Sequence, residues 1–163
     1  MRRAVVIAGG IATVMAVAVS LFIYSRIPNS PEDALRRFRM SQDAEDQLMD
    51  PLILAGKSVV PLLIKEVQSK EAPRRRYAIH ALGQLGDSSV LETLKTVLSD
   101  PSEADFFRCD ALEAIALIDR EKGNGLAQQK DLGQICSFTV QAILSNAPLD
   151  RRSYFDALLG THE

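Results

Sequence analysis

Tryptophan is absent from this chain, and aromatic residues of all kinds make up only 6% of it. Proteins that bind single-stranded nucleic acid stack bases on aromatic side chains, so this sequence offers few such platforms. The formal net charge is −2 at pH 7, with 19 Lys and Arg against 21 Asp and Glu. Because a basic surface is the usual footprint of a nucleic-acid binder, we expect no nucleic-acid partner.

Histidine and cysteine are equally scarce, with two of each: His80, His162, Cys109 and Cys136. A zinc site needs several of these residues at close spacing, which the chain does not offer. The sequence also lacks the Walker loop, the Gly-x-Ser-x-Gly nucleophile turn and the His-Glu-x-x-His metalloprotease motif. We therefore expect no metal, no cofactor and no catalytic residue, and predict that the protein is not an enzyme.

Charge is missing from one long segment, residues 4–24, which Arg3 and Arg26 flank. As a helix this segment would be about 31 Å long, close to the hydrocarbon thickness of a bilayer. Residues 1–25 are therefore predicted to be a single-pass transmembrane anchor. The alternative is a cleaved signal peptide, for which Ala16-Val17-Ala18 is a suitable cleavage site.

Two observations bear on orientation and give opposite answers. Arginines at 26, 36, 37 and 39 outnumber those at 2 and 3, which by the positive-inside rule favours a cytoplasmic body. The short Met-Arg-Arg start resembles a bacterial signal-anchor, which keeps its N-terminus in the cytoplasm. We favour the second interpretation, which places the body in the periplasm.

Small residues recur every fourth position along the apolar segment: Ala8, Ala12, Ala16 and Ser20. Such a stripe lets two membrane helices approach closely. It would allow a homodimer or, alternatively, a structural subunit of a larger membrane complex. The competing interpretation is that alanine and glycine are simply common in membrane spans.

The rest of the chain contains an internal repeat. An apolar helical run at 60–67 and a second at 75–87 are echoed at 90–97 and 107–119. A single helix pair cannot cover its own hydrophobic face, so neighbouring pairs must stack. No segment alternates as a strand does. The sequence therefore predicts an all-α fold, with a short α-solenoid of helix pairs over 43–145.

The second helix of each copy resembles the short HEAT-like repeat of the phycobilin-lyase type. The first copy carries the whole motif in Arg75, Ala78, Ala81, Leu82, Gly83, Leu85, Gly86 and Asp87; the next keeps Arg108, Ala111, Ala114, Ile115 and Ile118. The resemblance implies a scaffold or adaptor, and it implies that Arg75 lies beside an Asp such as Asp87. A lyase-type enzyme is the disfavoured alternative, because those enzymes are soluble and lack an anchor.

Capping and stop signals divide the chain further. Residues 26–42 are predicted to be a juxtamembrane spacer and a helix capped by Ser30, and residues 146–163 a short final helix and tail. Ser89 is expected to cap the fifth helix, Asp100 with Pro101 to open the sixth, and Gly123-Asn124-Gly125 to be a turn. The helices between are expected at 43–55, 57–68, 73–85, 89–98, 100–120 and 125–145.

A partner-binding surface is predicted on the second helices of the repeat. Arg76 and His80 are i,i+4 neighbours, and arginine and tyrosine are enriched at binding hot spots. We expect this surface to contact an acidic or polar protein partner. Its predicted members are Arg74, Arg76, Tyr77, His80, Gln84, Asp110 and Glu113.

The two cysteines are the last candidate pair. A turn at Asn124 would place Cys109 and Cys136 on antiparallel helices, at similar distances from the turn. A disulfide is then feasible if their Cα atoms come within about 7 Å and the compartment is oxidising. Two separately buried thiols are the alternative.

Overall fold

Helix is the only regular structure in the described part of the chain, which comprises residue 17 and residues 27–42, 47–129, 132 and 134–149 of a computed structural model. The all-α prediction is confirmed. The apolar segment 4–24 lies, apart from Val17, outside these residues. Within them, every helix is too short or too polar to span a bilayer. The membrane anchor therefore stays a prediction.

Eight α-helices are found in the described ranges, and three of them follow directly on a 3₁₀ turn. These are α1 (Pro31–Met40), α2 (Asp50–Ala55), α3 (Val60–Gln68), α4 (Arg75–Leu85), α5 (Leu91–Ser99), α6 (Asp105–Ile118), α7 (Arg120–Gln129) and α8 (Ser137–Leu144). The 3₁₀ turns Gly56–Val59, Ser88–Val90 and Gln134–Cys136 lead into α3, α5 and α8.

Several helix ends follow the predicted chemistry. The Ser30 hydroxyl accepts a 3.1 Å hydrogen bond from the Asp33 amide at the start of α1, as expected of an N-cap. Gly86 ends α4 with φ +64°, a left-handed conformation that favours glycine. The predicted Ser89 cap is wrong. It is the Asp87 carboxylate that accepts from the Ser89 amide, and α5 begins later, at Leu91.

The predicted turn at Gly123-Asn124-Gly125 is also wrong, because these residues lie inside α7. The chain turns instead at Asp119, whose backbone is extended between α6 and α7. Gly123 serves close packing: a Cβ atom there would lie 2.5 Å from the Cβ of Ala116 on α6. The glycine therefore marks where two helices touch.

Two further boundaries differ from the sequence-based prediction. Asp100 and Pro101 form a turn in which the Asp100 carboxylate accepts from the Ser102 amide at 2.8 Å, and α6 begins only at Asp105. The single helix expected over 125–145 is divided into α7, a 3₁₀ turn and α8.

The helices pack in two layers that alternate along the chain. The even-numbered helices α2, α4, α6 and α8 contact one another in succession, as do α1, α3 and α5, and each odd helix packs on the next even one. The two copies of the sequence repeat are α3 with α4 and α5 with α6. Between the layers runs one continuous core, whose fully buried side chains include Leu63, Ile79, Leu82, Leu94, Leu98, Leu112 and Ile115.

Candidate protein-interaction surface

Helices α4 and α6 approach each other closely at Gly83. A Cβ atom on Gly83 would lie 2.8 Å from the Cα of Ala114. Beside this crossing run two rows of polar residues at helical spacing, one on α4 and one on α6. We call these five residues the α4–α6 ridge: Arg76, His80, Gln84, Asp110 and Glu113.

Asp110 is the centre of the ridge. Arg76 donates to it from Nε at 2.7 Å and from Nη2 at 3.3 Å, and the His80 Nε2 lies 3.3 Å from Oδ1. The Asp110 side chain is only 6% exposed, so the expectation that it is solvent-facing is wrong. A buried carboxylate is stable only when it is paired. Asp110 therefore fixes Arg76 and His80, whose side chains are 55% and 24% exposed, in the positions they present to solvent.

The remaining predicted members of the surface are less exposed than the sequence suggested. Gln84 and Glu113 are half-buried on the two rows of the ridge. Tyr77 is also half-buried and packs against the core. Glu113 makes the acidic contribution to the accessible part of the ridge, and Arg76 the basic one.

Arg74 does not belong to this surface. Its guanidinium donates to the backbone carbonyls of Phe38 and Ser41, at the end of α1, and lies 5.9 Å from the centre of the Phe38 ring. The prediction that Arg74 is available for a partner is therefore wrong. Its guanidinium connects α4 to α1, and charge reversal at this position would break these contacts.

Arg75 is buried and has a structural role, but its partner is not Asp87. Its Nη1 and Nη2 atoms donate to the two carboxylate oxygens of Glu103 at 2.7 and 2.6 Å, and its Nε donates to the Val67 carbonyl at 2.5 Å. The two hydrogen bonds from this guanidinium hold the pKa of Glu103 below its ordinary value. The arrangement links α4, the end of α3 and the loop before α6.

The same use of arginine recurs along the chain. Arg108 Nε donates to the Leu98 carbonyl at the end of α5 at 3.1 Å. Arg120 Nη2 donates to Ala142 in α8 and to Ala147 just beyond it, at 3.0 and 2.8 Å. Carbonyls in the last turn of a helix have no partner within the helix, so a guanidinium satisfies them well.

We call this set the carbonyl-capping arginines: Arg74, Arg75, Arg108 and Arg120. Their role in capping carbonyls was not predicted from the sequence. The available signal was the alignment of Arg75 with Arg108 in the repeat, since residues that occupy equivalent positions in two copies are expected to make equivalent contacts.

Cys109 and Cys136 are joined by a disulfide, with an S–S distance of 2.25 Å and a Cα–Cα distance of 5.4 Å. The turn at Asn124 that was used to predict their approach does not exist. The pair forms because the 3₁₀ turn before α8 packs on α6. Formation of the bond in the cell depends on an oxidising compartment and stays a prediction.

Two other sequence-based candidates fall outside the described residues: His162 and the small-residue stripe at 8, 12, 16 and 20. Where side chains are described, no group of three or more His, Cys, Asp or Glu is arranged to hold a metal ion. Comparisons with models of known families, with curated proteins and with solved structures found no match to this chain.

Proposed function

We propose that this chain is a membrane-tethered adaptor, a HEAT-like α-solenoid whose α4–α6 ridge binds a partner protein at the bacterial envelope. The observation that carries the proposal is the ridge itself. Arg76 and His80 lie on α4 and are fixed by the buried carboxylate of Asp110 on α6. The half-buried Glu113 follows Asp110 on the same row of the ridge. Polar side chains that are already fixed lose less conformational entropy when a partner binds.

The layered packing supports the solenoid part of the proposal. Odd and even helices stack separately, and each contacts mainly its neighbours along the chain. Arg75 and Arg108 make the same contact in two successive helix pairs. Repeats that stack in this way commonly use the surface formed by one layer for binding.

The chemistry of the ridge defines the partner more narrowly than the sequence did. With Arg74 and Arg75 used inside the fold, Arg76 is the one arginine of the 74–76 run left on the ridge. Glu113 adds a negative charge close by. We therefore propose a polar partner surface of mixed charge, which is the second of the two kinds, acidic or polar, that the sequence predicted.

The tether is the part of the proposal that depends on residues 4–24. Anchoring the body beside other envelope proteins raises its effective concentration near them, so that weak contacts become sufficient. The resemblance of the apolar segment and its preceding arginines to a bacterial signal-anchor supports a periplasmic body, whereas the arginine count on the two sides favours the cytoplasm.

The proposal is tested by capturing partners of the full-length protein from native membranes and identifying them by mass spectrometry. Glu113→Lys reverses a charge on the ridge and is expected to lose the partner. Glu92→Lys is the matched control, because Glu92 is 84% exposed on α5, in the other layer, and its ion pair with Lys95 lies at the surface. Circular dichroism melting establishes that both variants remain folded.

Loss of the same proteins from the Glu113→Lys sample, with full recovery in Glu92→Lys, would support the ridge as the binding surface. Equal recovery from both folded variants would contradict it. Partner binding would then have to be assigned to the odd-numbered helices or to the tail.

A further inference from the structure

The end of the helical stack is unusual in lacking charge. From residue 132 to residue 149, a stretch that includes the whole of α8, there is no Asp, Glu, Lys or Arg. A helix that faces solvent normally carries charged residues on its outer side. An outer side that has polar residues but no charge is a candidate for being covered by another segment.

The exposed fractions of the side chains show which side of α8 the described residues leave open to solvent. Phe138 is 81% exposed and Leu144 is 46% exposed, whereas Ile143 is fully buried. At 100° per residue, Phe138 and Leu144 lie within the same third of the helix as the exposed residues Ser137, Gln141 and Ser145. We call this side the α8 outer face. It lies on the last described helix of the even layer, where a stacked fold needs a cap.

The chain that follows α8 stays close to this helix. Ala147 is held by Arg120, and Leu149 packs against the core. From Leu149 to Tyr154 the chain can extend about 17 Å, which exceeds the length of α8, about 12 Å. The next segment can therefore return alongside the helix.

That segment has the pattern required to cover an apolar face. In a helix over 153–160, Tyr154, Phe155, Leu158 and Leu159 share one side and Asp156 lies on the opposite one. We propose that residues 153–160 fold as a short amphipathic helix on the α8 outer face and cover Phe138 and Leu144. This inference stands independently of the proposed adaptor function.

Photo-cross-linking of the full chain tests the proposal. A photoreactive phenylalanine analogue replaces Phe138, and an equal mixture of ¹⁵N-labelled and unlabelled chains is irradiated and digested with trypsin. Cleavage after Lys130, Arg151 and Arg152 separates the peptide 131–151 from the peptide 153–163. We expect these two peptides to be joined, both labelled or both unlabelled. The same analogue at Met40, which is 70% exposed on α1, should not cross-link to 153–163.

A pair of tail variants supplies the second measurement. Leu158→Asp with Leu159→Asp is expected to abolish the cross-link and to lower the melting temperature, because charge is placed on the covering side. Thr161→Asp, beyond the apolar run, should retain the cross-link and the wild-type melting temperature. The proposal is overturned if position 138 joins labelled to unlabelled chains, which would indicate a second copy, or if it does not join 153–163. Retention of the cross-link in the double variant would overturn it as well.

Discussion

At the scale of single residues, the Arg75–Glu103 pair has the greatest predicted effect on stability. Both side chains are about 95% or more buried, and the guanidinium and carboxylate face each other through two hydrogen bonds. We expect Glu103→Gln to lower the free energy of unfolding by about 3–5 kcal/mol, because Arg75 would be left buried without a counter-charge. Urea denaturation at pH 7 measures the change.

Glu92→Gln is the control for this substitution. It makes the same chemical change in an exposed pair, and its expected effect is within about 0.5 kcal/mol. Equal effects of the two substitutions would contradict the role assigned to Glu103.

The same pair predicts a dependence of stability on pH. Arg75 lowers the pKa of Glu103 below its ordinary value of 4.5, so the folded state binds this proton less readily than the unfolded state. The stabilisation is then fully present above pH 4.5 and is lost as the pH falls through the folded-state pKa. The difference in unfolding free energy between the wild type and Glu103→Gln should therefore shrink between pH 5 and the acid limit. A constant difference would exclude this linkage.

At the scale of helices, two glycines of α7 have opposite predicted effects. Alanine at Gly123 would collide with Ala116 on α6, and we expect it to destabilise the protein by about 1–3 kcal/mol. Gly125 has no atom within 4 Å of its would-be Cβ, so alanine there should stabilise the helix by about 0.5–1 kcal/mol. Thermal melting of the two variants compares them directly. Stabilisation by both would mean that α6 and α7 are not in close contact.

The disulfide between α6 and the turn before α8 gives a second prediction at this scale. For the sequence separation of 27, the chain-entropy model gives about 3.6 kcal/mol of stabilisation. Reduction should therefore lower the melting temperature of the wild type, but not that of the Cys109→Ala, Cys136→Ala double variant. Two reactive thiols on denatured, unreduced protein from its native compartment would rule the bond out.

At the scale of the whole molecule, the orientation of the body determines where a protease can reach it. The turn predicted at Gly123-Asn124-Gly125 would have made the adjacent Arg120 and Lys122 accessible to trypsin, but Arg120 lies in α7 and holds the end of α8. We expect cleavage after Lys70 instead, in the exposed loop between α3 and α4. Trypsin added to spheroplasts should cut there if the body is periplasmic. Cleavage in inverted vesicles alone would place the body in the cytoplasm.

Much of this fold could be predicted from the sequence, because apolar periodicity directly reflects burial. The apolar runs at 75–87 and 90–97 predict helices with a buried side, and Leu82 and Leu94 within them are fully buried. Prediction failed where one residue type serves two purposes. Glycine is common in turns, but Gly123 lies where α6 and α7 pack together. Only the position of α6 distinguishes these two roles of glycine.

The candidate site was harder to predict because its contacts join distant parts of the chain. The sequence around an arginine on a polar helix face does not show whether its guanidinium is solvated or donates a hydrogen bond to a carbonyl. Arg74 donates to the carbonyl of Phe38, and Arg76 donates to the carboxylate of Asp110. In both pairs the two residues are more than thirty positions apart in the sequence. Spacing along one helix carries no information about such partners.

The carbonyl-capping arginines also bear on the order in which the chain folds during synthesis. Arg75 and Arg120 are the first residues of α4 and α7, where the helix dipole disfavours a positive charge. Each helix is therefore weakened by its own arginine until the neighbouring carbonyls are in place. For Arg75 that neighbour, α3, has already been synthesised, whereas Arg120 must wait for α8. Arg75 also needs its counter-charge, Glu103. We therefore expect α4 to become protected from hydrogen exchange after residue 103 has emerged, and α7 only after residue 147 has emerged.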